Sequence, residues 1–88
     1  MYNEKLGIVE GFDYYDRKEI CTLFNESDTR AFDYIADNCE NKDIRRKAAD
    51  LSNSGWTLTE NEYNKQKWEL LKSVGCFKTK YGEAYTRI

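Results

Sequence analysis

The stretch Thr59–Ile88, TENEYNKQKWELLKSVGCFKTKYGEAYTRI, decides the fold. Thr59 and Glu62 have the spacing of a capping box, in which the hydroxyl accepts from an amide one turn on and the carboxylate reaches back. Behind that start, Tyr63, Leu70, Leu71 and Val74 form one apolar stripe, with Trp68 at its margin, and Gly75 stops a Thr59–Val74 helix. Asn64, Lys65 and Lys72 fall on the exposed side. After the helix, a two-residue turn at Gly82-Glu83 folds the tail into a hairpin, because glycine in the first place of such a loop suits a type II′ turn. Lys78 then faces Arg87, Lys80 faces Tyr85 and Tyr81 faces Ala84. One face becomes Phe77, Thr79, Tyr81, Ala84, Thr86 and Ile88 and turns inward. The other becomes Lys78, Lys80, Tyr85 and Arg87, a basic surface with one aromatic ring. A slip of one residue would mix the two sets.

Working outward, three more helices precede this one. Asp13 is placed to cap a helix over about 14–25, with Asp16 in its first turn and Ile20, Cys21, Leu23 and Phe24 inward. Ser27 or Asp28 starts a second over about 29–40, where Ala31, Phe32, Ile35, Ala36 and Cys39 recur at helical spacing. The third, about 42–53, buries Ile44, Ala48 and Leu51 and ends at Gly55, read as a terminating glycine. Trp56 and Leu58 in the connector are expected to plug the core. Before all of these, Leu6–Glu10 reads as a short strand that would add a third member to the hairpin. The expected architecture is α+β: about four short helices and a C-terminal hairpin within one domain, 1–88.

Eighty-eight residues make a small core, burying roughly 60–65% of the unfolded surface. An aromatic content of 15% compensates and, with a net charge of −2, argues against disorder. The chain has no histidine, which excludes His-based acid–base catalysis, Ser–His and Cys–His pairs and His-containing zinc sites. Cys21, Cys39 and Cys76 lack the paired spacing of a zinc site. They read as buried free thiols of a cytoplasmic protein, one bridge with a thiol left over being the alternative. No apolar signal segment opens the sequence and no run is apolar enough to span a membrane. No glycine-rich phosphate loop is present and no cofactor is implied, so the expectation is a protein without enzymatic activity.

Charge separates the two ends of the chain. Residues 1–41 hold four basic and ten acidic residues, a balance of −6, whereas residues 42–88 hold ten and six, a balance of +4. Asp13, Asp16, Asp33, Asp37 and Glu40, with Tyr14, Tyr15 and Tyr34 among them, make a candidate partner-binding face. A row of carboxylates imitates phosphates, and tyrosine offers rigid apolar area with a hydroxyl at its tip. Asn64, Lys65, Lys78, Lys80, Tyr85 and Arg87 make the alternative, a nucleic-acid-binding face, with Asn61 and Gln66 beside them at the start of the last helix.

The order helix, connector, helix, hairpin, carried by IRRKAADLSNSGWTLTENEYNKQKWELL and the tail, resembles winged-helix DNA-binding proteins. That resemblance implies a Thr59–Val74 helix in the major groove and a basic wing on the backbone. Against it stand Glu60 and Glu62 in the helix's first turn and a sequence pI of 5.2. In its composition, free of Pro and His and rich in Asn, Lys, Glu, Asp and Tyr, the chain looks like the small accessory proteins of phages and other mobile elements. This similarity implies an inhibitor that docks on a host protein or nucleoprotein enzyme. The partner expected first is therefore a protein, with DNA as the alternative and no membrane.

Overall fold

The computed structural model describes residues 8–86. Four helices, α1 (Tyr14–Glu26), α2 (Asp28–Asn38), α3 (Lys42–Ser54) and α4 (Glu60–Ser73), precede an antiparallel hairpin of β1 (Cys76–Lys78) and β2 (Ala84–Thr86). The small α+β architecture is as the sequence indicates. Three of the four helix starts have a side-chain cap. Asp13 accepts from the Asp16 amide while the Asp16 carboxylate accepts from the Asp13 amide, a reciprocal box that satisfies two donors with no partner inside the helix. Asn41 accepts from the amides of Asp43 and Ile44 at the head of α3. Thr59 accepts from the Glu62 amide at the head of α4, but the Glu62 carboxylate does not return a bond to the Thr59 amide, so the expected box forms by half. Ser27 precedes α2 without a side-chain cap bond.

The core is one cluster in which Phe12, Ile20, Phe24, Phe32, Ile35, Leu51, Leu70, Leu71 and Val74 are buried together. α2 packs most extensively on α3, while α1 bridges α2 and the hairpin. Phe24 meets the Phe32 ring edge-on at 5.1 Å between centroids, which joins α1 to α2. Tyr63 meets Phe32 from α4 in the same manner at 6.4 Å. Gly55 opens a single 3-10 turn, Gly55–Thr57, with an ordinary right-handed φ of −57°. Its value is close approach: a methyl group there would lie 2.8 Å from the Tyr63 ring. Trp56, expected in the core, is 83% exposed, because this 3-10 turn swings it outward and its indole N–H bonds the Asn53 carbonyl. Leu58 alone packs from the connector.

The hairpin forms in a different register from the expected one. Cys76 pairs with Thr86, Phe77 with Tyr85 and Lys78 with Ala84. The loop is longer than two residues. The Gly82 amide bonds the Thr79 carbonyl, and the Thr79 hydroxyl accepts from the amides of Tyr81 and Glu83. Gly82, at φ +86°, then supplies the left-handed residue that follows such a turn. The register moves by three, and an odd shift mixes the two expected sets: the residues of β1 change sides while Ala84 stays inward. Cys76 and Ala84 point inward, Phe77 and Tyr85 pair on the other side at 6.0 Å, and Tyr81 at the tip is 78% exposed.

At the N-terminal end, Val9 and Phe12 exchange both backbone hydrogen bonds across a tight turn at Glu10 and Gly11, both at positive φ. This two-residue connection is the kind that left-handed central residues favour. Among the described residues the sheet has two strands. Ile8–Glu10 is not a third, and Leu6 and Gly7 of the expected strand lie outside the described residues.

Candidate functional site

α1 organises the molecule through three faces. Ile20 and Phe24 enter the core. Arg17, Cys21 and Asn25 recur at four-residue spacing and face the hairpin. Asp16 and Glu19 share the remaining side with Tyr15, which is 77% exposed.

On the solvent side the structure brings part of the predicted acidic face together. The Tyr34 hydroxyl donates to Asp16 Oδ1 at 3.4 Å, and its ring lies 6.0 Å from Phe12. Burial pushes the Tyr34 hydroxyl above its ordinary pKa, and the carboxylates of Asp16, Glu19 and Asp13 push it further. Those three acids therefore surround one tyrosine. Tyr14 and Tyr15 stack edge-on at 5.6 Å beside them. Asp37 is exposed one turn beyond Tyr34 on α2.

Two predicted members point elsewhere. Asp33 accepts from the Ser52 hydroxyl at 2.7 Å and so is turned toward α3. Glu40 lies over the Gly11 backbone, where a methyl group would meet its Cγ at 2.6 Å, and its amide bonds the Glu10 carbonyl. Charge separation along the sequence is also less complete in space. Lys67 pairs with Asp28 at 3.4 Å, and Arg45 donates to the Ala36 carbonyl at the C-terminal end of α2.

The predicted basic face does not assemble as drawn. Because of the register shift, Lys78 and Tyr85 occupy opposite faces of the hairpin. The Lys78 ammonium sits over the Trp68 ring at 5.5 Å, sharing it with Lys67 at 5.2 Å. Lys80 lies over Tyr81 at the loop tip. Lys65 is exposed on α4 and Asn64 half-buried. Arg87 lies outside the described residues.

The hairpin-facing stripe of α1 was not singled out in the sequence. Arg17, 2% exposed, donates from Nε to the Thr86 hydroxyl at 3.0 Å and from a terminal nitrogen to the Phe12 carbonyl at 3.1 Å. Asn25 accepts from the Ala84 amide at 2.8 Å and donates to the Ala84 carbonyl at 3.2 Å. Its carboxamide thus pairs with β2 as a backbone amide would. Between them, Cys21 Sγ and Cys76 Sγ are 2.9 Å apart. The contact with Cys76 lowers the Cys21 pKa against the opposing effect of burial, whereas Cys76 is raised by the same contact and by its burial. The signal that would have found this stripe is the four-residue spacing of a cation, a thiol and a carboxamide.

Among the described residues no helix is long and apolar enough to cross a membrane, and no three His, Cys, Asp or Glu side chains are grouped to hold a metal ion. Comparison with protein-family models, with characterised proteins and with solved structures returns no match.

Proposed function

We propose that this chain is a non-catalytic interaction protein that docks on a basic surface of another protein through the outward end of α1 and α2. The observation that carries the reading is the group of carboxylates, Asp16, Glu19 and Asp13, around the Tyr34 hydroxyl, with exposed Tyr15 beside Asp16 in the sequence of α1 and exposed Asp37 one turn beyond Tyr34 on α2. An exposed ring beside several carboxylates supplies both parts of a docking surface: apolar area that excludes water, and charge that steers and orients a cationic partner. A partner that normally holds nucleic acid fits this chemistry, because spaced carboxylates take the place of phosphates. An inhibitor of such a protein, of the kind that mobile elements encode, is the corresponding biological role.

The alternative, duplex binding by α4 and the hairpin, keeps the element order in its favour. It has less support from the side chains, since Lys67 and Lys78 stack on Trp68 and Tyr85 lies on the other face from Lys78.

Affinity capture from the source cell, run with competing duplex DNA, tests the choice. The expected result is a basic partner captured by the wild type, displaced by the duplex, and lost with Tyr15→Ala/Asp37→Lys. A gel shift that needs Lys78 and Lys80, with no capture that depends on Tyr15, would establish the DNA-binding reading instead.

A further inference from the structure

We propose that Cys21 and Cys76 are a disulfide-forming pair that staples the C-terminal hairpin to α1 when the protein meets a small-molecule disulfide. This proposal is independent of the binding reading. The two sulfurs belong to elements 55 residues apart in sequence and are brought to 2.9 Å, within about 0.9 Å of the bonded separation of about 2.05 Å. Both backbones are already fixed on either side of the pair. One turn before Cys21, Arg17 bonds Thr86, the residue that faces Cys76 across the hairpin. One turn after it, Asn25 bonds Ala84. The bonds on either side hold the two sulfurs in contact before any bond between them closes.

The third cysteine, Cys39, is buried at the end of α2, where burial raises its thiol pKa. It serves as the internal control.

The chemistry is thiol–disulfide exchange. The Cys21 thiolate attacks one sulfur of the small disulfide, forms a mixed disulfide and expels one thiolate. Cys76 loses its proton and attacks Cys21 Sγ, which forms the internal bond and releases the second small thiol. Two electrons pass from the cysteine pair to the small disulfide, and the two protons end on the two released thiols. Both thiols are buried, and the order follows from their contact, which favours the Cys21 thiolate and disfavours that of Cys76.

Because the bond closes a long loop, it restricts the unfolded chain strongly and raises the melting temperature by on the order of 10–20 °C for a domain of this size.

The test uses the intact chain, treated with oxidised glutathione both when native and during refolding from denaturant. The expected product is monomeric, lighter by about 2 Da as two thiol hydrogens leave, has one alkylatable thiol, and yields a Cys21–Cys76 linked peptide. Its melting temperature rises and returns on reduction. Cys39→Ser behaves in the same way, whereas Cys21→Ser and Cys76→Ser show no redox-dependent shift. Stable glutathione adducts, linkage through Cys39, a bridge without a rise in melting temperature, or three free thiols after both treatments would each overturn the proposal.

Discussion

Two stripes of α1 are both polar, and they have opposite fates. On one, Asp16 and Glu19 lie with the exposed Tyr15 on the solvent side; on the other, Arg17 and Asn25 flank Cys21 and grip the hairpin. On the hairpin-facing stripe Arg17 and Cys21 are buried and Asn25 lies at its exposed end; the burial is tolerable because among the described residues no buried side-chain nitrogen or oxygen lacks a hydrogen bond. The difference teaches that polarity along a helix does not decide which side meets water. Fixed partners can draw a guanidinium inward, as they do for Arg17, and a buried group of this kind is costly to disturb because its partners are left unpaired.

The largest effect is expected from breaking the grip at its centre. Arg17→Ala removes charge-assisted bonds to Thr86 and the Phe12 carbonyl and should lower stability by about 3 kcal/mol, read from the urea midpoint. A pair of glycines sharpens the comparison. Gly75 and Gly82 have nearly equal positive φ, +84° and +86°. A methyl group on Gly75 would sit 2.5 Å from Arg17 Cδ, but one on Gly82 meets nothing within 4 Å. Gly82→Ala should therefore cost about 1 kcal/mol for the backbone alone. Gly75→Ala should cost clearly more, and equal costs would show that Arg17 does not press on that turn.

A smaller effect concerns alkaline pH. Tyr63 donates to Asp28 at 2.8 Å, and burial, followed by that acid, raises its pKa well above the ordinary value of 10.0. The folded state thus holds the Tyr63 proton where the unfolded chain has begun to release it. Its contribution is complete below about pH 10 and is lost as pH rises above that toward the folded value. Tyr63→Phe should flatten the fall in stability above pH 10, as followed by urea midpoints across that range.

What the sequence made legible follows the same division. The core of α2 was readable because Ala31, Phe32, Ile35 and Cys39 repeat with the helical period, and the caps at Asp13 and Thr59 were readable from residue type and spacing. The hairpin's existence was legible and its register was not: the Thr79 hydroxyl bonds two loop amides, so the loop lengthens and Phe77 and Tyr81 move to sides that alternation alone did not assign. A large apolar residue in a connector suggests a core plug, but the Trp56 backbone lies in a 3-10 turn at the surface, a placement its residue type does not reveal. Of the candidate docking residues, Tyr34 and Asp16 do meet, but Asp33 is drawn to Ser52, a contact between helices that no local pattern encodes. The grip itself depends on pairs up to 69 residues apart in sequence.

Recognition belongs to the solvent-facing stripe and stability to the hairpin-facing one, so the most direct measurement reads both on the same variants. Partner capture and urea midpoint are compared for wild type, Tyr15→Ala/Asp37→Lys and Asn25→Ala. The first variant should lose the partner with its midpoint changed by no more than about 0.5 kcal/mol in stability. Asn25→Ala should lose about 1–3 kcal/mol of stability and still capture the partner while folded. Retained capture by the first variant, together with lost capture by folded Asn25→Ala, would contradict the account and move the docking surface to the hairpin.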